Sequence, residues 1–261
     1  MKEWRCTVCG IVLKGEKPPK ECPLCSSNSE NFVENKQREA LRYDHTKFDV
    51  LLINGSSHKS HNTSIMANLA EDALKKRNVS YKRFNLNELN IQHCWCCYSI
   101  RDNACTYPCR NRKDDMPAFH EMIREVKAVI ICSPINWNSM SARLKDFLDR
   151  LTSLQNMCRL GKESMTTGKT IGILINGHEY GAAKTMMDIF FYFQQMGFIF
   201  APYGFTYITH GAENDAETDN EFFKNNEKLK SEVYGVVNNV IETINIGIEE
   251  KLKGKINCVS E

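Results

Sequence analysis

Residues 48–55 read FDVLLING and residues 63–77 read TSIMANLAEDALKKR. The first is an apolar run that halts at a glycine, as a strand buried on both faces does. The second places Ile65, Met66, Leu69, Ala73 and Leu74 at the spacing of one helix face. A buried strand feeding directly into an amphipathic helix opens a βα unit, and the pattern recurs. Residues 79–86 (VSYKRFNL), 128–134 (AVIICSP), 170–177 (TIGILING) and 198–208 (FIFAPYGFTYI) read as further strands. Residues 118–126 (AFHEMIREV), 141–151 (SARLKDFLDRL) and 183–197 (AKTMMDIFFYFQQMG) read as helices between them. Residues 212–232 are polar and partly acidic, and a final amphipathic helix is expected near 230–252.

Strands alternating with helices imply a parallel sheet covered on both faces. The expected fold class is therefore α/β, a doubly wound five-stranded parallel sheet of flavodoxin-like order, with ligands bound beyond the C-terminal strand ends. Ahead of it, residues 1–35 are short of aliphatic side chains and rich in Cys, Pro and Lys, and residues 36–47 (KQREALRYDHTK) read as a charged linker. The expected domains are thus a small metal domain at 1–35, a linker at 36–47 and an α/β domain at 48–261.

Composition narrows the function. A net charge of +2 over 261 residues argues for neither nucleic acid nor an acidic membrane surface. No apolar run approaches the roughly 18 residues of a membrane span. The start, MKEWRCTVCG, has no apolar signal region, so a cytoplasmic protein is expected. Nine of the twelve cysteines fall in two clusters, Cys6–Cys25 and Cys94–Cys109. In a reducing compartment such clusters bind metal or do redox chemistry more often than they form disulfide scaffolds.

Cys6 and Cys9 form one C-x-x-C pair and Cys22 and Cys25 another, twelve residues apart. Each pair can aim two sulfurs at one point, and the two together complete a tetrahedron suited to iron or zinc. So short a segment buries little apolar surface, so the metal itself would hold it folded. The flanking Trp4, Gly10, Gly15, Pro19, Pro23 and Phe32 resemble the rubredoxin-like domain attached to rubrerythrins. That resemblance implies one iron on four thiolates, shuttling single electrons; a structural zinc ribbon is the alternative.

The turn Gly55-Ser-Ser-His-Lys-Ser-His-Asn-Thr-Ser64 is rich in hydroxyls and opens a helix, a combination that can cradle a phosphate on backbone N–H groups. It carries neither a dinucleotide-binding G-x-G-x-x-G nor a Walker lysine. Ser133-Pro-Ile-Asn-Trp137 follows a strand directly, where a Pro-fixed turn, an amide and an aromatic can line a flat ring. Asp114-Asp115-Met116, Ser141, Lys145, Phe147 and Asp149-Arg150 complete an ordered set that resembles the NADPH-dependent FMN reductases and their relatives, the iron–sulfur flavoproteins. The resemblance runs from about residue 48 to 210.

It implies that Ser56, His58, Ser60, Asn62, Thr63 and Ser64 hold an FMN phosphate. Ser133, Pro134, Ile135, Asn136 and Trp137 would cup the ring, with Asn176, Gly177 and Tyr180 closing the other side. Trp137 as a core residue is the alternative reading of that position. FMN rather than FAD is expected, because no second phosphate motif exists for a pyrophosphate. Ser57 stands where the family has proline, His58 where it has a phosphate-binding arginine, and Asn136 where an aromatic is common.

In iron–sulfur flavoproteins the second cysteine cluster holds a 4Fe–4S cluster. Here Ile100 occupies the third ligand position, and Cys105 and Cys109 could compensate only if the loop between 99 and 104 folds back sharply. The expectation is no 4Fe–4S cluster, and a loop that shapes the flavin pocket or a dimer contact. Cys132 is expected in the core, with Cys158 and Cys258 isolated. The implied function is an FMN-dependent oxidoreductase passing electrons between a nicotinamide or other donor, FMN and a rubredoxin-type iron centre, with no side chain serving as nucleophile or base. A homodimer or larger assembly is implied. Two readings stay open beside it: an NAD(P)H-dependent reductase of FMN, quinones, nitroaromatics or metal ions with a structural zinc ribbon, and a non-enzymatic flavin or metal sensor.

Overall fold

A computed structural model describes residues 1–8, 11–35, 39–58, 61–178, 180–210, 216–252 and 254–255. Three short strands, β1 (Lys2–Cys6), β2 (Val12–Gly15) and β3 (Phe32–Glu34), form an antiparallel sheet in the order β2-β1-β3. Cys6, Cys22 and Phe32 are its buried centre, with Trp4, Val8, Ile11 and Leu13 packed around them. Trp4 donates its indole N–H to the Gly15 carbonyl, fixing the ring across the sheet (3.2 Å). So small a core cannot fold on apolar burial alone.

The main sheet runs β5-β4-β6-β7-β8, all parallel: β4 (Val50–Asn54), β5 (Tyr81–Asn85), β6 (Ala128–Pro134), β7 (Thr170–Gly177) and β8 (Ile199–Thr209). This is the flavodoxin-like order expected from the sequence. The central strands β4, β6 and β7 are buried along nearly their whole length, whereas the edges β5 and β8 are only half-buried. Strand alternation sorts the core into two layers. Leu51, Ile53, Val129, Ile131, Ile171, Ile173 and Ile175 face α2 (Met116–Glu125), α3 (Ala142–Arg150), α4 (Thr152–Arg159) and α5 (Ala182–Gln195). Val50, Leu52, Ala128, Ile130, Cys132 and Leu174 face α1 (Asn62–Lys76) and α7 (Glu227–Asn245). Cys132 is therefore core, as expected.

Three features differ from the sequence reading. The polar stretch after β8 contains α6 (Ala216–Asn225), which inserts the buried Phe223 beside α1 and α7, and the C-terminal helix breaks into α7 and α8 (Ile248–Leu252). Cys158 is not isolated but disulfide-bonded; Cys258 lies outside the described residues. The expected linker is laid down on α2 over its described part. Leu41 donates its N–H to Asp115 at 2.6 Å, and Tyr43 and His45 both reach Glu125, at 2.9 and 2.7 Å. No helix among the described residues is long and apolar enough to cross a membrane.

Candidate flavin site and thiol centres

In the N-terminal module the sulfurs of Cys6, Cys22 and Cys25 all lie within 4.8 Å of one another, and Cys6 and Cys25 are 3.7 Å apart. A single ion bonded at about 2.3 Å to four thiolates needs sulfurs about 3.8 Å apart, so the spacing fits one metal ion. Ser27 lies 3.2 Å from the Cys6 sulfur and 3.3 Å from that of Cys25, beside the same point. Cys9, the fourth expected ligand, lies outside the described residues.

The C-terminal end of β4 is organised by Asn54, a residue the sequence reading passed over. Wholly buried, it donates to the Ser64 hydroxyl (3.0 Å) and to Asn85 (3.1 Å), and accepts the Ser56 N–H (3.1 Å). The only local signal was an amide ending an apolar strand. The Ser56 hydroxyl in turn accepts the His58 N–H at 3.0 Å, which curls the turn over the start of α1. No side chain caps that helix, so its first N–H groups, including those of Asn62 and Thr63, remain a cradle for an anion. Thr63 and Ser64 are buried beneath it. Ser60 lies outside the described residues.

On the ring side, Ile135 donates its N–H to the Asn176 carbonyl at 2.8 Å, tying the β6 loop to the end of β7. Asn136 and Ser139 exchange backbone hydrogen bonds (2.8 and 3.0 Å) around Trp137 and Asn138, whose φ values are +50° and +59°. Two successive positive φ angles are the mark of a tight primed turn. That turn throws Trp137 outward, 100% exposed, so it is not a core residue. Tyr180 is also exposed. Two glycines let the facing loop approach. A Cβ on Gly177 would come 2.7 Å from Ile135 Cδ1, and one on Gly181 (φ +93°) 2.6 Å from Asn138 Cα. Ser133 is buried, its hydroxyl donating to the Pro134 carbonyl at 2.9 Å. Pro134 and Ile135 are half-buried and Asn136 is exposed.

Ser141 joins the two halves of the site. Its hydroxyl donates to the Gly55 carbonyl at 2.5 Å and accepts the Leu144 N–H at 3.2 Å, capping α3. A test of fit to FMN comes from two buried carbonyl oxygens, Oδ1 of Asn62 and of Asn176, that find no donor among the described residues. One stands at the start of α1 and the other at the end of β7, the places expected to meet the phosphate and the ring. Unpaired buried acceptors cost about 1–3 kcal/mol each, so they fit a ligand that brings O–H and N–H groups to both places, as a ribityl chain and a flavin ring do.

The second cysteine segment folds back through 3-10 turns at Cys97–Ser99 and Asp102–Ala104, bringing Cys105 and Cys109 to the same cavity as Cys94 and Cys97. Asn156 anchors the fold-back through the Cys105 carbonyl (2.7 Å). Burial, reinforced by the neighbouring thiols, pushes the Cys105 thiol up to about 11. Burial likewise raises Cys94. Beneath the cavity Arg150, 1% exposed, forms a buried ion pair with Asp114 and donates to the carbonyls of Gln92 (3.0 Å) and Asn111 (2.7 Å). Asp114 also accepts the N–H groups of Gln92 and Met116, and Asp115 that of Asn90. The two aspartates are thus framework, holding the cysteine loop to α2.

The sequence pattern of the NADPH-dependent FMN reductases matches residues 48–213, and that of the rubredoxin-like domain of rubrerythrin matches residues 4–33. The chain belongs to the NADPH-dependent FMN reductase family. The family's domain takes FMN as its cofactor, and in this chain a rubredoxin-like domain precedes it. Among relatives, an iron-sulfur flavoprotein of Archaeoglobus fulgidus is 27% identical over 98 residues, covering 37% of this chain and 42% of that protein. Reverse rubrerythrin-1 of Clostridium acetobutylicum is 44% identical over 36 residues, 14% of this chain and 20% of its own. The chain thus spans less than half the length of either relative. Among solved structures, RosB with a bound intermediate superposes with a TM-score of 0.57 at 16% identity, over 82% of this chain and 91% of that one. A putative quinone reductase from Klebsiella pneumoniae gives 0.53 at 16%, over 74% and 84%. At these identities the likeness establishes the fold.

Proposed function

We propose that this family member passes electrons in cis between FMN at the strand ends and one iron in the N-terminal module, with a nicotinamide as donor. In this reading residues 1–35 are the metal domain, 36–47 a docked connector and 48–261 the flavin domain. The observation that carries it is the contact between the two modules. His58, in the phosphate turn, places Nδ1 3.4 Å from the carbonyl of Val8, which lies inside the Cys6–Cys9 knuckle. Beside it, Arg5 donates to the Asn87 carbonyl at 3.4 Å. The thiol knuckle therefore stands against the turn assigned to the FMN phosphate.

When bound, FMN supplies the conversion between two-electron and one-electron chemistry. The chain's residues do the rest. The open start of α1, with Ser56, His58, Asn62 and Thr63, would hold the phosphate. Ser133–Trp137 and Asn176–Tyr180 would hold the ring between two loops whose separation Gly177 and Gly181 set. Asn176 Oδ1 would accept from the ring's N–H edge. The described part of the connector, laid on α2, would shorten the free tether between the modules and so raise their effective concentration for one another. Trp137 and Tyr180 leave an aromatic rim at the mouth, suited to a nicotinamide or to a second subunit in a homodimer.

Anaerobic titration with NADPH and NADH, followed optically, tests this. The expected result is bleaching of the flavin band followed by bleaching of the red thiolate–iron bands, at a rate independent of protein concentration. Flavin bleaching with zinc as the sole bound metal would instead make the module a structural ribbon. Iron reduction whose rate scales with protein concentration would rule out transfer in cis.

A further inference from the structure

The turn that carries Trp137 is strained, and packing does not explain it. Trp137 and Asn138 both take left-handed backbone angles, φ +50° and +59°. Asn adopts that region readily, but for a bulky residue it is a rare state that persists only where the surroundings hold it. An Asn-Gly pair would make the same primed turn unaided. Trp137 gains no burial in exchange, since it is 100% exposed. A strained backbone that presents a large aromatic to solvent points to function at that side chain.

One face of α5 holds the turn. Gly181 (φ +93°) lies so close to Asn138 that a Cβ there would come 2.6 Å from Asn138 Cα and 2.8 Å from its Oδ1. Two helical turns further on, Asp188 Oδ2 accepts the Ser139 hydroxyl at 2.6 Å, across 49 residues of sequence. Lys184, between them on the same face, donates to the same oxygen at 2.6 Å. A Lys184–Asp188 pair alone would be an ordinary exposed ion pair of small effect. The Ser139 hydroxyl turns it into a charge-assisted tie between helix and loop. Burial opposes ionisation of Asp188, but the hydrogen bonds from Lys184 and Ser139 outweigh it and hold the carboxyl below its usual range. Ser139 also exchanges backbone hydrogen bonds with Asn136, so seating its hydroxyl on Asp188 closes the turn from its far end. The near end is fixed independently, by Ile135 on the Asn176 carbonyl.

We propose that Asp188 is a positioning residue for the family's reaction: through Ser139 it keeps the Trp137 turn left-handed, and so presents the indole to the nicotinamide of the electron donor. The indole offers a flat face to a flat ring, and offset stacking of two such rings is favourable. Asp188 itself touches neither. Without it the far end of the turn is released, Trp137 relaxes to negative φ, and the indole leaves its station. The inference rests on the reading that the ring-side mouth receives a nicotinamide, and the test separates the two.

Both arms of the test use the full-length chain. In the first, FMN-free protein is labelled with 5-fluorotryptophan, which gives one fluorine signal for each of the three tryptophans, that of Trp137 being identified by its loss in Trp137→Phe. Asp188→Ala and Ser139→Ala should each move or broaden that signal and leave those of Trp4 and Trp95 in place. Asp188→Asn, which keeps an oxygen acceptor for Ser139, should restore it. In the second arm, reduction of bound FMN by NADPH is followed anaerobically by stopped flow. Asp188→Ala should weaken NADPH binding about fivefold and leave the limiting rate within about twofold. Trp137→Ala should lose as much, and the double variant no more than either alone. An unmoved Trp137 signal, additive losses in the double variant, or wild-type affinity in Asp188→Ala beside a weakened Trp137→Ala would overturn the role of Asp188 and leave the nicotinamide reading standing. Unchanged affinity in Trp137→Ala would overturn that reading, and the proposal with it. Should Asp188→Ala fail to fold, Ser139→Ala decides in both arms.

Discussion

Replacing Ser141 with alanine removes one oxygen that serves two elements. The hydroxyl caps α3 through the Leu144 N–H and donates to the Gly55 carbonyl at the end of β4. Loss of a Ser cap costs about 1 kcal/mol. Removing a hydrogen-bond donor from a buried carbonyl costs about 1–2 kcal/mol more. The expected destabilisation is about 2–3 kcal/mol, which for a domain of this size lowers Tm by about 4–12 °C. Because Gly55 opens the turn proposed to hold the FMN phosphate, FMN binding should weaken as well, by up to about tenfold for each 1.4 kcal/mol that the turn loses. Urea unfolding of the flavin-free protein, with FMN titration by fluorescence quenching, measures both. Ser141→Thr retains the hydroxyl and should recover most of the loss. A change under about 0.5 kcal/mol, or equal losses for Ala and Thr, would refute the assignment of Ser141 as the joint between the two loops.

Other perturbations have outcomes as definite. Gly177→Ala sets a methyl 2.7–3.0 Å from three atoms of Ile135, so the Ser133–Trp137 loop must shift; FMN affinity should fall at least about tenfold, with about 1–3 kcal/mol lost from stability, by flavin titration and thermal melting. Cys22→Ser should abolish metal binding and unfold the N-terminal module while FMN retention persists, as metal analysis and flavin content would show. Asp114→Asn leaves the buried Arg150 guanidinium without its counter-charge and should cost about 3–5 kcal/mol in denaturant unfolding. His120, buried against Arg150 and Ser153 and near Asp114 and Glu121, has its imidazole pushed down from 6.5 to about 4, mainly by burial. The unfolded chain therefore binds the proton first. Stability should be whole above pH 6.5 and fall as pH drops toward 4, by roughly 3 kcal/mol. Among the groups that also lose stability in acid, Asp49, Glu71 and Asp188 have carboxyls held below their usual range and act lower still. His120→Gln should flatten the curve in the window between 6.5 and 4.

The sequence by itself determined the parts governed by neighbours along the chain. Runs such as VLLIN and TIGILING can be satisfied only between two covering layers, so the sheet, its helices and its strand order follow from local pattern and the rules of parallel connection. The C-x-x-C pairs bring their own geometry, because two residues are the span of one sulfur-bearing turn. The turn at Ser56–Ser64 offered a weaker signal, since hydroxyls at a helix start are also common caps. What only the tertiary structure decided depends on partners far along the chain. Arg150 reads as the polar face of an amphipathic helix, yet it is buried because Asp114, 36 residues away, neutralises it. Cys105 reads as an outlier until two 3-10 turns return it to Cys94 and Cys97. Trp137 has the composition of a core residue, but two consecutive positive φ angles turn it to solvent. Asn54 looks like the end of a strand and is the node that ties the turn before α1 to Ser64 and Asn85. In each case a side chain's role was fixed by which distant backbone or charge met it, and periodicity carries no record of that meeting.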